Sequence, residues 1–141
     1  MQVLKRENGV ILLRFDRGES FPGALADYCA ETGLESAVVL CGIGMLSGTV
    51  IGRYDGREYT RTVLDDSLEV LSLQGNVSMK EGAPYVHLHV SLADHDFTAR
   101  GGHLFEAEVS MVIELAMLEL SPGLVRRPAG GDFWRLEAPQ T

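Results

Sequence analysis

Tyr85-Val86-His87-Leu88-His89-Val90-Ser91-Leu92 is the stretch on which the reading of the fold turns. It alternates without a break, with Val86, Leu88, Val90 and Leu92 on one face and His87, His89 and Ser91 on the other. Side chains two apart on a strand point the same way, so the spacing predicts a half-buried strand carrying two neighbouring imidazoles. The polar Asp94-His95-Asp96 that follows predicts a turn that folds the chain back as a hairpin. A turn centred on His95 sets His103 opposite His87 and Leu104 opposite Val86, which keeps both faces consistent. A slip of one residue would send His103 to the wrong side.

Three imidazoles on one face fit a metal site with three protein ligands and an open fourth position. His87, His89 and His103 are therefore the candidate ligands. Zn²⁺ is the leading ion, and Ni²⁺, Cu²⁺ and Fe²⁺ also accept imidazole. The bland alternative is three polar histidines facing solvent. Gly101-Gly102, just before His103, leave space for a ligand or for a close partner backbone. His95 belongs to the exposed tip of the turn.

Outward from this hairpin most of the chain reads as strand. Two apolar bursts around Glu7-Asn8-Gly9 predict a hairpin over residues 2–15. Phe21, Leu25, Tyr28 and Cys29 then share one helical face, with Ser20 as the expected N-cap, Pro22 in the first turn and Gly33 as the stop. Ala37–Leu40, Thr49–Tyr54, Glu58–Val63 and Leu68–Leu73 read as strands, with turns at Asp55-Gly56 and Gly75-Asn76. Val109–Leu120 reads as a long strand because of its β-branched start, with Glu114 and Glu119 leaving a helix as the alternative. The expected fold class is α+β, a largely antiparallel sheet with one main helix, in a single domain over 1–141.

Other signals carry less. Gly42-Ile43-Gly44-Met45-Leu46-Ser47-Gly48 looks like a phosphate loop, but the continuation is strand-like rather than helical, so a tight strand-to-strand connection is expected. No serine nucleophile elbow is present. Cys29 lies on the helix's buried face, and Cys41 is expected to be buried at a strand end. Two cysteines make no disulfide framework, and the N-terminus reads as a first strand rather than a signal peptide, so reduced thiols in a cytoplasm are expected. No apolar run approaches the roughly 18–20 residues of a membrane span.

Apolar residues make up 45% of the 141 and charged residues 23%, an ordinary globular balance. The net charge of −8 opposes an encounter with duplex DNA. Arg53, Arg57 and Arg61, and the pair Arg126-Arg127, read as solvated surface charge.

Together the segments Gly42–Ser47, Leu68–Asn76, His87–Asp94 and Gly101–Leu104 resemble, in order and spacing, the plants-and-prokaryotes-conserved (PPC) domain in its stand-alone prokaryotic, bacterial or archaeal, form. The resemblance runs from Val10 to Arg127. It implies a PPC-type fold, a homotrimer, and zinc held by His87, His89 and His103 near a subunit boundary. Plant relatives join this domain to an Arg-Gly-Arg-Pro AT-hook, which this sequence lacks, so the family's DNA-binding label does not transfer.

Two function classes stay open. One is a metal-bearing binding or interaction module with a regulatory role. The other is a metal-dependent enzyme using a water bound to a three-histidine Zn²⁺ on a small-molecule substrate, with Glu69, Glu106, Asp94 and Asp96 as available acids or bases and the catalytic residue unknown.

Overall fold

The computed structural model describes residues 1–131 and 133–140. Its elements run β1 (Gln2–Glu7), β2 (Val10–Asp16), β3 (Ser20–Phe21), α1 (Gly23–Thr32), β4 (Ala37–Tyr54), β5 (Tyr59–Leu64), β6 (Leu68–Lys80), β7 (Ala83–Ala93), β8 (Ala99–Glu119), β9 (Val125–Pro128) and β10 (Trp134–Glu137). All ten strands belong to one sheet. Its ladders are antiparallel except for a single parallel bridge, Met79 to Val125, between β6 and β9. With one short helix among the described residues, this is an α+β arrangement, and no helix is long and apolar enough to cross a membrane.

The sheet closes on itself. β4 pairs with β6, β6 with β7, β7 with β8, and β8 with β4. Closure gives each of these four strands a hydrogen-bonded neighbour on both sides. Its interior is filled by the apolar face read from the sequence: Leu88, Val90 and Leu92 of β7, with Leu73, Val77 and Leu104 from the neighbouring strands, are all buried. Burying one such side chain contributes about 1.5–3 kcal/mol.

The hairpin at Asn8-Gly9 forms as expected, with both residues at positive φ, the conformation a two-residue hairpin turn requires. The helix buries Leu25, Tyr28 and Cys29, and Gly33 closes it in the left-handed conformation while the Leu34 amide donates to the Cys29 carbonyl. Its start differs from expectation. Ser20 is not the cap but part of β3, bridged to Glu108, and Pro22 takes the capping position without a side-chain hydrogen bond.

Two glycine-containing stretches read as breaks are continuous strand. Gly42–Gly48 lies inside β4, whose register against β8 shifts between Val39 and Cys41 and again between Gly44 and Leu46. These bulges bend the strand without ending it. Gly75-Asn76 likewise runs straight through β6, opposite Leu88 and His87. A Cβ on Gly75 would collide with the His87 carbonyl oxygen, so glycine here serves close strand approach rather than a turn. Gly101 and Gly102 also serve backbone approach, to the carbonyls of Val90 and Gly52. Cys41 is exposed, not buried.

Candidate metal centre

The β7–β8 hairpin closes at Ala93 and Ala99, around a loop in which the Asp94 carboxylate accepts from the amides of Asp96 and Thr98 and Phe97 adopts positive φ. The loop therefore turns about Asp96 rather than His95, and His103 pairs with His89 rather than His87. Leu104 correspondingly faces Leu88. The displacement is two residues, so every side chain stays on the expected face.

His87, His89 and His103 consequently converge. One ring nitrogen from each lies within 4.8 Å of the others. The ring centroids are 4.8 Å apart for His87 and His103, 5.3 Å for His87 and His89, and 5.6 Å for His89 and His103. A tetrahedral ion with nitrogens at about 2.0–2.1 Å needs them about 3.4 Å from one another, so small ring rotations would close the triangle. His103 is only 6% exposed, and its Nδ1 is buried without a hydrogen-bond partner among the described residues. An orphaned buried nitrogen costs free energy unless something fills its lone pair or takes its proton. A metal ion fits that need.

The chemistry of the three rings suits the same role. Burial, reinforced by Arg126, His103 and His89, lowers the His87 imidazole to about 4. Burial, reinforced by His89, Arg126 and Arg61, lowers His103 to about 4 as well. Both are neutral at physiological pH, the state a metal requires. His95, by contrast, is exposed at the loop tip beside Asp96 and takes no part.

Arg126 is the residue that sequence reading missed. It reaches over from β9 and is hydrogen-bonded from Nη2 to His87 Nδ1 and to Asn76 Oδ1, both at 2.9 Å. Its Nε donates to Ser78 Oγ at 3.2 Å and its Nη1 to the Trp134 carbonyl at 3.1 Å. Arg61, expected as solvated surface charge, instead sets its guanidinium 3.8 Å over Phe105, whose ring lies 4.5 Å from that of His103. Tyr59 covers His103 from another side at 5.0 Å.

The sequence profile of the Plants and Prokaryotes Conserved (PCC) domain matches residues 5–121. The chain belongs to this family. A PPC protein from Pyrococcus horikoshii is 33% identical and superimposes with a TM-score of 0.84, over 94% of this chain and 93% of that one. A metal-containing protein from Archaeoglobus fulgidus is 39% identical, with a TM-score of 0.78 over 89% and 91% of the two chains. A protein from Ralstonia eutropha JMP134, provisionally named as DNA-binding, is 22% identical with a TM-score of 0.86 over 96% and 95%, a likeness that shows the fold alone. No curated protein matches the chain significantly. The PPC domain thus places its three histidines on the outer face of a closed sheet, with a small polar cavity of about 160 Å³ beside His89 that Ser72, Gln74 and Ser91 help to line.

Proposed function

We propose that this PPC-domain chain is a metal-binding module that holds Zn²⁺ through His87, His89 and His103 and acts as a homotrimeric interaction or regulatory protein. The observation that carries the metal is the convergence of the three imidazoles, one ring nitrogen of each within 4.8 Å of the others, with His103 Nδ1 buried and without a hydrogen-bond partner among the described residues. The metal-containing relative from Archaeoglobus fulgidus supports it. Imidazoles also accept Ni²⁺, Cu²⁺ and Fe²⁺, but three histidines with an open fourth position are the ligand pattern of a catalytic-type zinc site, and a bound Zn²⁺ would supply Lewis acidity at that position.

Assembly is supported by the sheet's outer surface. Val10, Leu118 and Val38 form one cross-strand row, and Leu12, Leu40 and Ile43 lie exposed nearby. The Val38 row continues through Asn76 to His87. A second protomer seated on this apolar face would therefore border the histidines.

The binding reading is favoured over an enzyme because none of the four candidate carboxylates makes a recorded contact with the three clustered histidines among the described residues. Asp94 caps the hairpin loop, Asp96 sits at its tip beside His95, Glu69 stands in the strand position opposite Ala93 next to that loop, and Glu106 lines an open cleft with Ser47 and Glu108. Calorimetric titration of chelator-stripped protein with Zn²⁺ tests the metal. One equivalent per chain is expected, and no uptake would refute the reading.

A further inference from the structure

The cations around the triad are not balanced by acids. Arg126 makes four hydrogen bonds among the described residues, and each acceptor is neutral: Ser78 Oγ, Trp134 O, Asn76 Oδ1 and His87 Nδ1. Arg61 rests on Phe105, and Lys80 lies 4.2 Å over the Trp134 ring and 5.1 Å over Tyr85. None of the three forms an ion pair among the described residues. In a chain with 20 acidic residues against 12 basic ones, three uncompensated cations beside one cluster mark a place kept electropositive.

The hydrogen bond to His87 adds a constraint. A guanidinium can only donate, so His87 Nδ1 is the acceptor and the ring's proton sits on Nε2. A neutral imidazole has one lone pair in its ring plane. If His87 ligates a metal through Nδ1, that lone pair is taken. If it ligates through Nε2, the proton must move to Nδ1. In both cases the bond from Arg126 is lost.

We infer that metal binding at the three histidines releases Arg126 from His87, and that the freed guanidinium holds a small carboxylate ligand at the site's open position. This rests on the metal reading above. Release leaves one uncommitted N–H on Nη2, alongside the second N–H of Nη1, for which no acceptor is present among the described residues. Two donors on one planar fork match the two oxygens of a carboxylate. Asn76, Ser78 and the Trp134 carbonyl keep the fork in place after His87 lets go.

The test uses Co²⁺-loaded full-length protein, whose visible absorption reports ligands arriving at the metal. Acetate is the anionic probe and imidazole the neutral one. The expected result is that Arg126→Gln weakens acetate binding by about 10- to 100-fold, the worth of a charge-assisted pair of hydrogen bonds, while imidazole binding changes by less than about twofold. Equal acetate affinity in the two proteins, or equal loss for acetate and imidazole, overturns the inference and leaves the metal reading standing. Failure of the wild-type protein to take up Co²⁺ sinks both. Should Arg126→Gln not fold, side-chain nitrogen NMR of the wild type decides: the Arg126 guanidinium resonances must shift on metal loading and again with acetate, and unmoved resonances refute the release.

Discussion

His103 concentrates the chemistry of the site at a single residue: nearly buried, flanked by aromatic rings, and carrying a ring nitrogen with no partner among the described residues. Replacing it with alanine removes the most enclosed ligand, and His103→Ala is expected to abolish stoichiometric Zn²⁺ binding while His95→Ala leaves it unchanged. Parallel titrations check this, and equal effects would contradict it. In metal-free protein, pH should act through His87 and His103. Their folded values of about 4 lie below the 6.5 of a free imidazole, so the unfolded chain binds more protons between those limits. Their stability contribution is full above pH 6.5 and is lost as pH falls toward 4. Urea midpoints at pH 7.5 and pH 5 should show that fall, and a midpoint unchanged between them would argue against buried neutral rings. The shared face of the three histidines was legible because strand side chains repeat every two residues, and the two-residue error in register left that parity intact. Arg126 was not legible. It reaches the site from β9, which meets β6 through a single parallel bridge that leaves no periodic trace in the sequence.

At the scale of elements, the site depends on how closely β6 and β7 approach. Gly75 sits against the His87 main chain with no space for a Cβ. Gly75→Ala should therefore cost about 2 kcal/mol or more of stability and weaken metal binding by displacing His87. Chemical denaturation and zinc titration of the variant check both effects, and a change under about 0.5 kcal/mol would show that the strands are free to adjust. The same contact explains why Gly75-Asn76 reads as a turn in sequence. Glycine beside asparagine signals a reversal, but it equally permits a neighbouring backbone to come near, and only the partner strand distinguishes the two. Gly42–Gly48 poses the same ambiguity, resolved in β4 by bulges that keep pairing with β8. The helix was more readable, since its apolar face is a local pattern; only its start was missed, where pairing of Ser20 with Glu108 takes the residue into the sheet.

For the whole molecule, the apolar outer face and the acidic charge lead to separate expectations. Covering Val10, Leu12, Leu40 and Ile43 favours self-association, and a homotrimer with about three times the 15.4 kDa chain mass is expected from light scattering. A monomer at micromolar concentration would overturn it. Binding to duplex DNA should be feeble at physiological salt, because the net charge is −8. A salt-dependent titration showing sub-micromolar affinity near 150 mM salt would contradict this.

The central claim is the metal itself. Anomalous diffraction across the zinc absorption edge, from crystals grown with Zn²⁺, reads it directly. The account predicts one peak per chain at about 2.0–2.1 Å from one nitrogen of each of His87, His89 and His103. A triad with no peak in zinc-supplied crystals, or a peak held by His95 and Asp96 instead, would contradict it.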